Sequence, residues 1–103
     1  FQAVQHLASE AIAKLEPARS LLWNAAWAWD AEPSAASLAA SMAKARCSDV
    51  SRSIARTAIE MHGGIGFTWE HDMHIYFKRA KSSEIYLGDP TYHRELLAQR
   101  IGM

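Results

Sequence analysis

Apolar residues recur at intervals of three and four along most of the chain, the period of helices that turn one face inward. From residue 2 to about residue 30 the stripe is Val4, Leu7, Ala8, Ala11, Ile12, Leu15, Leu22, Ala25, Ala26 and Trp29. Pro17 interrupts its middle. Proline there removes one intrahelical hydrogen bond and crowds the preceding turn, so a bend near residues 13–16 is expected, not an end. Glu32-Pro33-Ser34 marks a short connection, with proline acceptable in a first helical turn. A second helix follows from about residue 34 to residue 61, on the order of 40 Å long. Its stripe is Ala43, Cys47, Val50, Ile54, Ala58 and Met61, and its other faces carry Lys44, Arg46, Asp49, Arg52, Arg56 and Glu60. Asp49 to Arg52 and Arg56 to Glu60 are spaced for ion pairs along one helix, each contributing about 0.2–0.5 kcal/mol if exposed. That ladder reads as a solvated or subunit-facing surface. The alanines and serines of residues 35–41 permit close helix packing.

Gly63, Gly64 and Gly66 then break the helical pattern. Glycine just past a last turn accepts the left-handed conformation that ends a helix. It also lets a main chain lie against a phosphate or sugar where a Cβ would clash. The spacing is not that of the strand-to-helix dinucleotide fingerprint. Residues 67–77 mix aromatic and charged types, read as a loop followed by a short helix through about residue 83 or 85. Gly88-Asp89-Pro90 ends that helix, and Asp89 is placed to cap a last one from residue 90 to about residue 101.

Composition narrows the classes. At 103 residues, half of them apolar, the chain is expected to form one domain with a modest core. Eleven basic and eleven acidic residues leave no general electrostatic drive toward nucleic acid or an anionic membrane. No run of eighteen apolar residues is present, which argues against a membrane span. The single Cys47 sits among Ala43, Val50 and Ile54 at helical spacing, where a buried inert thiol is expected. His71 and His74, with His62, match no zinc-ligand spacing, so no metal site is expected. Glu70-His71-Asp72 is read as structural hydrogen bonding in a subunit contact, since adjacent residues point different ways. Lys78, Arg79 and Lys81 form a small basic cluster, a solvated face by default and an anion contact otherwise. Of the four tryptophans, Trp23, Trp27 and Trp29 fall within two turns. Core burial is expected to account for one or two of the four, and burial against a partner chain for the rest.

The segment Ala58-Ile59-Glu60-Met61-His62-Gly63-Gly64-Ile65-Gly66-Phe67-Thr68-Trp69-Glu70-His71-Asp72 resembles the HGGxGFTWEHD segment of the acyl-CoA dehydrogenase family, flavoproteins that desaturate acyl thioesters. Phe1-Gln2-Ala3-Val4-Gln5-His6 resembles the opening of the long helix in that family's C-terminal domain, and Lys78-Arg79-Ala80-Lys81 through Gly88 resembles its R-x-A-K…G segment. The likeness covers essentially the whole chain. It implies an all-α, antiparallel up-down helical bundle lacking its first helix, residues 1–103 being one domain of a larger flavoenzyme.

The resemblance also implies roles. Gln2 matches the glutamine that reaches the flavin at the head of the long helix. Gly63 and Gly64 match a double glycine against the adenosine-diphosphate part of FAD, with His62 beside it. Glu60 stands where many relatives carry a cofactor-contacting glutamine, and a carboxylate facing a pyrophosphate is repelled unless protonated or turned away. Asp89-Pro90-Thr91 replaces a Thr-Ala-Gln flavin contact. Leu87 occupies the position where many relatives place the catalytic glutamate, so no catalytic residue is assigned; Glu84 and Asp89 lie near but off that position. The expected full-length protein is an FAD-dependent acyl-CoA dehydrogenase in the cytoplasm, or in the mitochondrial matrix of a eukaryote. It is expected as a homodimer or homotetramer, or in a mixed tetramer with a related subunit. The alternative is a noncatalytic assembly module or base-deficient partner subunit. The 103-residue chain alone is expected to be helical, self-associated, free of FAD and inactive.

Overall fold

The computed structural model describes residues 2–63 and 72–102. Four helices and no strand occur among them: α1 (Gln2–Ala31), α2 (Pro33–Met61), α3 (Met73–Ile85) and α4 (Pro90–Arg100). Each agrees with its expected element to within a residue or two. Helix α1 runs through Pro17 without a break. Glu32 alone separates α1 from α2; its N–H donates to the Ala28 carbonyl (2.9 Å) and its own carbonyl accepts from Ala35 (2.9 Å), so Pro33 opens α2 where no N–H is needed.

That one-residue hinge makes α1 and α2 an antiparallel hairpin. Ala28 packs with Ala36 and Ala39 beside the turn. Farther along, the Cys47 thiol donates to the Ala18 carbonyl (3.5 Å) and Lys14 Nζ donates to Ser53 Oγ (3.0 Å). Helices α3 and α4 then follow one another back along α2, with Arg52 reaching Glu84, Asp49 reaching Arg94 and Ser41 reaching His93. Helix α2 is therefore the central rod, contacting all three others.

A central rod needs small residues on several faces at once. Ala36, Ala39, Ser41, Ala43, Ala45 and Ser48 are all buried on α2, and Val50 and Ile59 join them. The expected stripe from Ala43 to Met61 is buried or half-buried throughout. The α1 stripe holds in part: Leu7, Ala8, Ala11 and Ala25 are half-buried, and the rest requires correction. Ile12, Leu22 and Trp29 are 58%, 55% and 75% exposed, whereas Ala18 and Ala28, outside the expected set, are buried. The cause is close approach: α2 offers alanine and serine, so α1 meets it through its own alanines and its bulky residues flank the seam. Three of the four tryptophans lie among the described residues. Trp23, Trp27 and Trp29 expose 69%, 55% and 75% of their surface, so core burial accounts for none of these three; Trp69 lies outside the described residues.

Candidate functional site

The register of the α1–α2 hairpin brings Gln2 level with the residues just beyond Met61. Gln2, Glu60, His62 and Gly63 are all exposed at this end of the pair. Gly64 lies outside the described residues, as do the rest of the glycine segment and His71. Helix α2 ends on its own chemistry: the His62 N–H (3.3 Å) and its ring Nδ1–H (2.8 Å) both donate to the Ala58 carbonyl, closing one of the carbonyls a helix terminus leaves open. Gly63 follows with φ +57°, the left-handed terminator its position called for. Among the described residues, nothing lies within 4 Å of a Cβ built on Gly63. Gln2, His62 and the left-handed Gly63 thus lie at one end of the hairpin, with Glu60 on the last turn of α2.

A second constellation forms where α3 meets α4. Lys44 Nζ lies within hydrogen-bond distance of the carbonyls of Ser83 (3.0 Å), Glu84 (3.1 Å) and Gly88 (3.1 Å) and of Ser48 Oγ (3.0 Å), four acceptors sharing three protons. A cation there neutralises the negative end of the α3 dipole and satisfies its last carbonyls. Arg52 donates to both oxygens of Glu84 (3.0 and 3.1 Å), whose side chain is only 16% exposed. Asp49 pairs with Arg94. Asp49 and Arg52 thus turn to partners on other helices and not to one another, contrary to the expected ladder. An exposed pair along one helix contributes a few tenths of a kcal/mol, and a charge-assisted contact from the single Arg52 Nη1 to a largely buried carboxylate contributes more.

The turn itself is unusual. Leu87 has φ +61°, a left-handed conformation that branched side chains resist, and Gly88 has φ +101°. Glycine is required at 88, because a Cβ would lie 2.5 Å from Tyr92 Cδ2 and 2.9 Å from His93 Nε2. His93 Nε2–H donates to the Leu87 carbonyl (2.9 Å), and its Nδ1 meets Ser41 Oγ (3.3 Å). Asp89 Oδ1 accepts the Tyr92 N–H (2.8 Å), the expected N-cap of α4. Both carboxylates near Leu87 are thereby engaged, Glu84 by an arginine and Asp89 by a helix N-terminus. Lys44 and His93 were not singled out in the sequence reading. The signal for Lys44 was its place with Ser41, Ser48 and Arg52 on one stripe of α2; no local signal marks His93.

Elsewhere, Cys47 is half-buried, and burial pushes its thiol above the ordinary range. It lines an open apolar groove of about 630 Å³ between α1, α2 and α3, walled by residues such as Leu22, Ile54 and Tyr76 and rimmed by Arg19 and Arg79. Lys78, Arg79 and Lys81 are exposed, with Lys81 Nζ 5.7 Å from the centre of the Phe77 ring. No three histidine, cysteine, aspartate or glutamate side chains converge among the described residues. Nor is any described helix long and apolar enough to cross a membrane.

The family model for the acyl-CoA dehydrogenase C-terminal domain matches residues 1–102. The chain belongs to the acyl-CoA dehydrogenase family. Acyl-CoA dehydrogenase IpdE2 of Mycolicibacterium smegmatis is 37% identical over 90 residues, 87% of this chain and 27% of that protein. Acyl-CoA dehydrogenase FadE34 of Mycobacterium tuberculosis is 38% identical over 89 residues, 85% of this chain and 12% of its own length. The mitochondrial short/branched chain specific acyl-CoA dehydrogenase of Bos taurus is 35% identical over 102 residues, 98% of this chain and 23% of its own. Among solved structures, one from work on the electron transferring flavoprotein of Acidaminococcus fermentans and flavin-based electron bifurcation superposes with a TM-score of 0.90 at 33% identity, covering 98% of this chain and 26% of that one. The acyl-CoA dehydrogenase domain described here therefore spans 12–27% of these relatives' lengths.

Proposed function

We propose that residues 1–103 are the C-terminal helical domain of an FAD-dependent acyl-CoA dehydrogenase, contributing to a flavin pocket shared between subunits and to oligomerisation. What supports this reading is the match of residues 1–102 to the family's C-terminal-domain model, together with a hairpin register that puts Gln2 at the same end as Glu60, His62 and Gly63, all of them exposed. The left-handed Gly63, with no described atom within 4 Å of where a Cβ would stand, is compatible with close approach of a ligand to its backbone. Gln2 and His62 would supply polar contacts, and Gly63 the close approach. Gly64 belongs to the same proposal from sequence. Glu60, exposed on the last turn, is free to turn its carboxylate to solvent and not toward a phosphate.

Bound flavin would supply a hydride acceptor for α,β-desaturation of an acyl thioester. The complementary step needs a base to take the acidic proton beside the thioester carbonyl. In this domain Leu87 cannot accept a proton, and Glu84 and Asp89 are held by Arg52 and by the α4 N-terminus. A base from elsewhere in the full-length protein completes the favoured reading. The same observation favours a second reading, a base-deficient partner subunit in a mixed assembly; one relative, at 33% identity, is a subunit of the caffeyl-CoA reductase-Etf complex of Acetobacterium woodii.

Purified full-length protein decides between them by its flavin spectrum and by acyl-CoA-dependent reduction of an artificial electron acceptor. Flavin with turnover supports the enzyme. Flavin without turnover, restored by a co-expressed related subunit, supports the partner reading. A folded protein that takes up no FAD overturns both.

A further inference from the structure

We infer that Lys44 and His93 are positioning residues that together hold Leu87 in its left-handed conformation, making the α3–α4 corner a clamped, strained element. Leucine at φ +61° is disfavoured by contact between its Cβ and the backbone, a cost that persists only where the surroundings over-determine it. Packing of Leu87 itself does not supply that restraint, since its side chain is 73% exposed, as are those of its neighbours Ile85 (71%) and Tyr86 (69%). The restraint lies in the carbonyls. The Leu87 carbonyl is held by His93 at 2.9 Å and the Gly88 carbonyl by Lys44 at 3.1 Å. Lys44 simultaneously ties the Ser83 and Glu84 carbonyls, so the start and end of the corner are fastened to one ammonium. Both clamping side chains are anchored by serines of α2: Lys44 donates to Ser48, and His93 meets Ser41. Tyr92 and His93 fill the space beside Gly88, closing off a relaxed alternative on that side.

Amide hydrogen exchange of the 103-residue chain tests this at Gly88, whose N–H donates to the Ile85 carbonyl (3.3 Å). Lys44→Met and His93→Phe are each expected to speed Gly88 exchange by about tenfold relative to amides of α1, the factor corresponding to release of one disfavoured backbone conformation. Placing Leu87→Gly in either background is expected to recover most of that loss, because glycine adopts the left-handed region without the Cβ penalty. A role through charge or packing alone would cost the same with leucine or glycine at 87, and equal costs in the two backgrounds overturn the inference. Leu87→Val leaves both clamping residues in place and guards against a variant that does not fold. Its β-branch sharpens the conflict, so faster exchange confined to residues 86–89 is expected, and unchanged exchange there contradicts the clamp.

Discussion

The Asp89 carboxylate and the Cys47 thiol sit where local sequence put them, and each carries a measurable consequence. Asp89 precedes Pro90 and accepts from Tyr92, so Asp89→Ala is expected to destabilise the chain by about 1 kcal/mol in chemical denaturation. Cys47 is desolvated, so the folded chain holds its proton more tightly than the unfolded chain does. Stability from this source is level through neutral pH and falls once the pH rises past the ordinary thiol range, as the unfolded thiol ionises first. Cys47→Ala should remove that alkaline component from a stability-versus-pH curve; an unchanged curve would contradict it. Thiol capping should be slow at neutral pH for the same reason. Glu84 and Arg52 belong to another category. Their pairing depends on how α3 lies against α2, information that no spacing within one helix contains, and the sequence reading accordingly matched Arg52 with Asp49. Glu84→Gln leaves the largely buried end of this pair short of its charge and is expected to cost about 1–3 kcal/mol.

Helix boundaries were legible because their signals are short-range: Pro33 and Pro90 at first turns, Asp89 at a cap, Gly63 past a last turn. Faces were less so. On α2 the apolar stripe was read correctly, since burial on several sides makes almost any stripe of small residues an inward one. On α1 the hydrophobic period favoured Ile12, Leu22 and Trp29, yet the seam runs through Ala18 and Ala28. Hydrophobicity ranks bulky residues first, and a seam set by closest approach selects the smallest. Ala39→Leu tests this account of the hairpin. Ala39 is 5% exposed in the cluster with Ala28 and Ala36, and a leucine there must push the helices apart, at about 1–3 kcal/mol by chemical denaturation. A neutral outcome would mean that the α1–α2 seam is looser than the structure indicates.

For the molecule as a whole, the core is thin and the surface rich in large apolar groups. No large side chain is fully buried among the described residues, while Trp23, Trp27 and Trp29 stand more than half exposed on one helix. A surface of that kind favours association, as large aromatics concentrate where proteins meet. Sedimentation of the 103-residue chain is expected to show concentration-dependent self-association that Trp23→Ser with Trp27→Ser weakens; a monomer at all concentrations would remove the argument. The candidate cofactor end was legible only as a set of residues, Gln2 with Glu60, His62 and the glycines. That Gln2, Glu60, His62 and Gly63 share one end of the hairpin follows from the single-residue hinge at Glu32 and from the nearly equal lengths of two helices, which sequence periodicity indicated separately. Flavin retention by the full-length protein, with and without Gln2→Ala, measures the central claim most directly. Gln2 is exposed, so its loss should leave helicity by circular dichroism unchanged while the purified protein keeps less FAD. Equal flavin content in the two proteins would contradict a cofactor contact at this end of the hairpin.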